Sequence, residues 1–142
     1  MAVPLLDVLA QNGPLESELQ AAFLRVLQSG RYILGPEVQA FEEEMATDCG
    51  VPHAIGVSSG TDALLLALMS IGIGPGDEVL CPSFTFFATA GSIARTGATP
   101  VFVDSREDTF NIDAADAATK ITPRTRAIIP VHLFGGTADM DP

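Results

Sequence analysis

Between Ala54 and Val131 the chain alternates short apolar runs with stretches of helical periodicity, and this alternation limits the fold more than any other feature. Ala54-Ile55-Gly56-Val57, Glu78 to Cys81, Val101-Phe102-Val103 and Ala127-Ile128-Ile129-Pro130-Val131 read as strands. Their apolar residues do not alternate with polar ones. A strand wet on one face alternates, whereas one covered on both faces reads as a continuous apolar run, the pattern of parallel sheets. The expected fold class is therefore α/β, a mostly parallel sheet with helices on both faces. A chain of 142 residues is about one domain long, and 47% hydrophobic residues suffice for a core.

The first strand runs into Ser58-Ser59-Gly60-Thr61-Asp62-Ala63-Leu64. Beyond it Ala63, Leu64, Ala67, Leu68 and Ile71 recur at helical spacing, which predicts a helix with Gly60 and Thr61 at its N-terminus. The first amides of a helix have no intrahelical partner and the aligned peptide dipoles add partial positive charge, so such an end suits an anion such as a phosphate. Gly60 allows close approach and the Thr61 hydroxyl offers one more hydrogen bond. From these residues alone, plain capping by Ser59 or Thr61 accounts for the same pattern. Asp62 suits the dipole but repels an anion unless its carboxylate points away.

Elsewhere Asn12-Gly13-Pro14 predicts a turn, and a helix follows with Leu15, Leu19, Phe23, Val26 and Leu27, closed by Ser29-Gly30. The segment Val3 to Leu6 is a short apolar stretch. Pro36 opens a second helix with Val38, Phe41 and Met45 inward and Glu42, Glu43 and Glu44 mostly solvated. Gly72-Ile73-Gly74-Pro75-Gly76-Asp77 follows a helix and contains a proline, so it reads as a C-cap and turn and not as a dinucleotide fingerprint. Pro82 to Ala90 is a loop entering a small-residue helix that ends near Ala94, and Asn111 to Lys120 is a helix with Asp113 near its start. Ligands on parallel sheets bind at the carboxyl ends of the strands. That rule gathers Ser59 to Asp62, Pro82 to Phe87, Asp104 and His132 to Gly135 at one edge.

Eighteen acidic against seven basic residues give a net charge of −11, which argues against nucleic acid or an anionic membrane surface as partner. Cys49 and Cys81 lack the spacing of a disulfide framework or a zinc site. The N-terminus lacks the features of a secretion signal, and no apolar run approaches membrane-spanning length, so a cytoplasmic location is expected.

Several motifs stand in a fixed order: Gly35-Pro36-Glu37-Val38 with Phe41-Glu42; Ser59-Gly60-Thr61-Asp62-Ala63-Leu64; Gly74-Pro75-Gly76-Asp77-Glu78-Val79; Pro82-Ser83-Phe84-Thr85-Phe86; Pro100-Val101-Phe102-Val103-Asp104; Ile121-Thr122-Pro123-Arg124-Thr125; and Val131-His132-Leu133-Phe134-Gly135. Together they resemble the N-terminal part of the DegT/DnrJ/EryC1/StrS aminotransferases, pyridoxal-phosphate enzymes that aminate nucleotide-linked keto-sugars. The resemblance runs from about Val3 to Pro142. It implies that residues 1–142 are the N-terminal part of the large domain of a type I pyridoxal-phosphate-dependent aminotransferase. It further implies pyridoxal 5'-phosphate as cofactor, a nucleotide-linked keto-sugar and an amino-acid donor, glutamate, as substrates, and a homodimer. By the same resemblance Gly60, Thr61 and Asp62 contact the cofactor phosphate, and Phe86 stacks on the pyridine ring. His132 carries over a structural role only. Gly136-Thr137 departs from the family, where a glutamine or similar residue is usual. The family's Schiff-base lysine and the aspartate that pairs with the pyridine nitrogen are expected beyond the end of this chain. Lys120, the only lysine, falls at a helix end and is not assigned that role.

Other functions compete for the same residues. Gly56-Val57-Ser58-Ser59-Gly60 matches the nucleophile elbow of serine hydrolases, and Asp104 and His132 follow in hydrolase order. Too few strands precede Ser58 for that fold, and no Gly-rich oxyanion loop lies upstream. A sugar dehydratase using pyridoxal or pyridoxamine phosphate and a non-catalytic regulator of the same fold are further alternatives. A metal site of His132, Asp139 and Asp141 matches no standard spacing.

Overall fold

Every residue of β1 (Glu78–Pro82) is buried in the computed structural model of the chain, which describes residues 5–140. The strand lies between β2 (Thr99–Val103) and β3 (Thr125–Ile128) and pairs in parallel with both, in the order β2-β1-β3. Alternate side chains leave β1 on opposite faces. Val79 and Cys81 join Leu68, Ile73, Ile93 and Ala98 in one apolar cluster, whereas Leu80 joins Val103 and Ala117 in another. The α/β expectation holds because parallel neighbours need crossover connections, which cover both faces.

These clusters belong to the second of two compact units, which begins at Val57. In it α4 (Gly60–Ser70) and α5 (Ala88–Arg95) supply Leu68 and Ile93, and α6 (Ala114–Lys120) supplies Ala117 to the opposite face. Small residues let α5 lie close to its neighbours, and Ala88, Thr89, Ser92 and Ile93 form its buried stripe. Gly97 turns the chain into β2 at φ +86°, and a Cβ there would lie 2.9 Å from Pro75 Cγ, so both backbone and space call for glycine. Asp113 caps α6 by accepting from the amides of Ala115 and Asp116.

Several sequence expectations change. Ala54–Val57 forms no strand: Ile55 is 81% exposed, and the Gly56 amide donates to Glu42 Oε1 at 2.6 Å and not to a neighbouring strand. An apolar run becomes a strand only where a backbone ladder pairs it. The third strand covers Thr125–Ile128, displaced from Ala127–Val131, because Pro130 has no N–H and the ladder stops at Ile129, whose amide donates to Leu80 O at 2.8 Å. On α4, Leu68 is buried and Leu64 is half-buried as expected, but Leu65 joins them while Ala63, Ala67 and Ile71 are exposed. A helix that is apolar almost all round gives its periodicity no single face to select. The Gly72–Asp77 segment is the expected turn, closed by the Asp77 amide on Gly74 O and the Gly74 amide on Asp77 Oδ2.

The unit ending at Gly56 is helical. It contains α1 (Val8–Asn12), capped by Asp7 and not anticipated from the sequence, then a 3-10 turn at Gly13–Leu15 that holds Pro14. Helix α2 (Glu16–Ser29) ends at Gly30 with φ 65°, and α3 (Pro36–Asp48) begins with Pro36 in its first turn. Arg25 pairs with Glu37 at 3.1 Å. The inward face expected for α3 is realised only by half-buried Val38 and buried Ala46; Phe41 and Met45 are exposed, since within this unit no element covers them. The stretch Val3 to Leu6 lies partly outside the described residues.

Glu78, 7% exposed at the start of β1, accepts hydrogen bonds from Thr122 Oγ1 and the Arg124 guanidinium. Those bonds hold its carboxyl below the usual range, and Asp116 is lowered by Lys120 and by the Asp104 amide. A carboxyl whose folded-state pKa is depressed contributes stability above its unfolded value and loses it as pH falls through the folded one. Thermal midpoints should therefore hold from neutral pH down to about pH 5 and then drop. Glu78→Gln should lower the neutral plateau and flatten this acid limb, which melts between pH 3 and 7 would reveal.

Candidate functional site

Helix α4 starts at Gly60, with Ser59 as its N-cap in an extended conformation. Ser59 Oγ accepts from the Asp62 amide at 3.1 Å, and Ser59 O accepts from the Ala63 amide at 2.9 Å. Capping is thus real, but it leaves the amides of Gly60 and Thr61 without an acceptor among the described residues. The Thr61 hydroxyl also has no partner there. A Cβ on Gly60 would meet nothing within 4 Å, so the space beside Gly60 is open. The backbone of Thr61 is held from behind, where Ser92 Oγ, fully buried on α5, donates to Thr61 O at 3.2 Å.

Thr61 borders a cavity of about 520 Å³ with Phe86, Phe87, Ala88, Gly91 and Arg95. Such a volume suits a small organic ligand, for which sites of roughly 300–1,000 Å³ are usual. Gly91 admits the Phe87 ring against α5, since a Cβ there would lie 3.0 Å from Phe87 Cε1. Phe86 is 76% exposed, so it is not one more core aromatic. Phe86 and Thr61, which carries one of those amides and the hydroxyl, line one cavity, and Gly60 with the other amide precedes Thr61 in the chain, a set of donors and an apolar ring that fits a phosphorylated planar ring.

The Asp62 carboxylate is engaged elsewhere. Oδ2 accepts from Ser58 Oγ and from Ser59 Oγ at 3.1 Å, and Oδ1 lies 3.5 Å from Arg95 Nη1. The two serine hydroxyls, followed by the Arg95 charge, hold its pKa below the usual carboxylate range. Arg95 and Phe87 were not singled out from the sequence. The available signal was that Arg95 is the only charged residue between Glu78 and Asp104.

At the strand ends, Thr61 shares its cavity with Phe86, and Phe84 meets the rings of Phe110 and Phe134 at 5.8 and 6.3 Å. The hydrolase arrangement is not assembled: Ser58 donates to Asp62, and His132 Nδ1 accepts from the Ala138 amide at 3.0 Å. His132 therefore ties down its own loop, the structural role anticipated for it. Lys120 donates to Asp116 Oδ2 at 2.6 Å at the end of α6. Cys81 lies in the core, where burial pushes its thiol up to about 11 and removes it as a nucleophile. Among the described residues no group of three or more His, Cys, Asp and Glu side chains converges as a metal site, and Asp141 lies outside them. Nor is any described helix long and apolar enough to cross a membrane.

The sequence signature of the DegT/DnrJ/EryC1/StrS aminotransferase family matches residues 14–142. The chain belongs to the DegT/DnrJ/EryC1/StrS aminotransferase family. Among its relatives in the family is the dTDP-3-amino-3,4,6-trideoxy-alpha-D-glucose transaminase of Streptomyces venezuelae, 54% identical over 98% of this chain and 37% of that protein. The chain thus spans little more than a third of this relative's length. A crystal structure of DesV from S. venezuelae in complex with a ketimine intermediate superposes with a TM-score of 0.94 at 54% identity, covering 97% of this chain and 37% of DesV. NtdA from Bacillus subtilis with bound cofactor PMP, 38% identical, superposes at a TM-score of 0.90 over 97% of this chain and 32% of its own. Both structures share the α/β fold derived above from β1 outward.

Proposed function

We propose that residues 1–142 are the N-terminal part of the large domain of a pyridoxal 5'-phosphate-dependent aminotransferase acting on a nucleotide-linked keto-sugar. One observation carries the reading: at the positive end of α4, Thr61, whose amide and hydroxyl have no partner among the described residues, borders the same cavity as exposed Phe86, and Gly60 with its own unpartnered amide immediately precedes it. In this reading the Gly60 and Thr61 amides and the Thr61 hydroxyl hold the phosphate, and Asp62 orders the helix end through Ser58 and Ser59. Phe86 holds the plane of the cofactor ring and keeps water from that face. When bound, the cofactor supplies an electron sink for chemistry next to the amino nitrogen. The relatives support the substrate class through the dTDP-sugar transaminase and the cofactor class through NtdA with its PMP.

The donor is glutamate by family resemblance, the location cytoplasmic, and the assembly a homodimer. Support for the last comes from the exposed apolar side chains Leu66, Met69 and Ile71 on and after α4. The test is to supply the complete protein with pyridoxal phosphate, glutamate and nucleotide-linked keto-sugars and to follow 2-oxoglutarate release. Absence of release with every such sugar would count against the reading. Borohydride reduction of the loaded protein should leave Lys120 unmodified in peptide maps, because its ammonium is committed to Asp116.

A further inference from the structure

Asp62 is the only Asp, Glu, Lys or Arg residue between Asp48 and Asp77, and Arg95 is the only one between Glu78 and Asp104. These two isolated charges meet across α4 and α5, with Arg95 Nη1 3.5 Å from Asp62 Oδ1. Arg95 also lines the cavity that Thr61 and Phe86 border. An uncompensated carboxylate in the first turn of α4 would oppose an anion at the neighbouring amides, in a chain whose net charge is already −11. The remaining carboxylate contacts come from neutral donors, the hydroxyls of Ser58 and Ser59. Among the described residues Arg95 is therefore the one positive charge paired with Asp62.

We propose that Arg95 is a positioning residue that makes the α4 N-terminus selective for a phosphorylated ligand, by neutralising Asp62 and holding its carboxylate off the Gly60 and Thr61 amides. The inference rests on the cofactor reading above. It differs from a packing role for Arg95 because only the phosphate senses the charge. A packing role would affect a ligand with and without phosphate alike.

The experiment compares binding of pyridoxal 5'-phosphate and of pyridoxal, which lacks the phosphate, to the complete protein at low and high salt. Arg95→Met should weaken pyridoxal phosphate by roughly three- to tenfold at low salt, the effect of one unbalanced charge near an anion at a half-exposed site. Pyridoxal affinity should not change, and the difference should shrink at high salt. Arg95→Lys should retain most of the affinity, and adding Asp62→Asn to Arg95→Met should restore it. Equal loss for both ligands, no loss for either, or persistence of the loss in the double variant would overturn the proposal. A parent protein that binds neither ligand would instead overturn the cofactor reading on which it stands.

Discussion

Replacing Thr61 by valine is expected to weaken binding of pyridoxal 5'-phosphate to the complete protein at least tenfold, with its fold intact. The substitution keeps the volume and the backbone amide but removes a hydroxyl that has no partner among the described residues. A hydrogen bond to a charged group contributes about 1.5–3 kcal/mol, and each 1.4 kcal/mol corresponds to about tenfold in affinity. Phe86→Ala should act differently. Its ring is largely exposed, so thermal stability should move by no more than about 0.5 kcal/mol, while cofactor affinity and turnover at saturating cofactor both fall. Cofactor titration followed by transfer assays at saturation separates the two variants. Parent-like affinity in Thr61→Val would reduce the α4 N-terminus to a capped helix end.

Leu80→Ala should have the largest effect on stability, about 2–5 kcal/mol, because a buried leucine replaced by alanine loses its transfer free energy and leaves a cavity. Leu80 is 1% exposed on the central strand and packs with Val103 and Ala117. It also faces backbone neighbours on both sides, opposite Val101 and Ile128, so relaxation cannot readily refill the space. Denaturant unfolding should show a lower midpoint with little change in slope. A loss below about 1 kcal/mol would mean that β1 is not the centre of this core.

Much of this protein was legible along the chain, because some features depend only on neighbouring residues. A helix C-cap at Gly30, a turn at Gly74-Pro75-Gly76-Asp77 and a proline opening α3 are set by local backbone chemistry, whereas the helix expected from Asn111 begins only at Ala114, because extended Asp113 serves as its cap. The apolar runs Val79 to Cys81 and Val101 to Val103 likewise pointed to the α/β class, the first because it is covered on both faces, although Phe102 in the second remains 51% exposed on the edge strand β2. Helical periodicity put Gly60 and Thr61 at the start of α4, whereas Phe86 after β1 was singled out by family resemblance alone.

Tertiary structure decided what depends on partners distant in sequence. Whether Ala54 to Val57 pairs as a strand depends on a neighbouring backbone, and the Gly56 amide bonds the Glu42 side chain instead. Which face of α4 is buried depends on where α5 lies, as an almost wholly apolar helix carries no preference of its own. The fate of the Asp62 charge was equally hidden, because Arg95 stands thirty-three positions away and meets it only when α4 packs on α5. Local sequence sets which conformations the backbone favours; the packing of the elements sets which charges and faces meet, because those contacts require the sheet and its crossover helices to be in place.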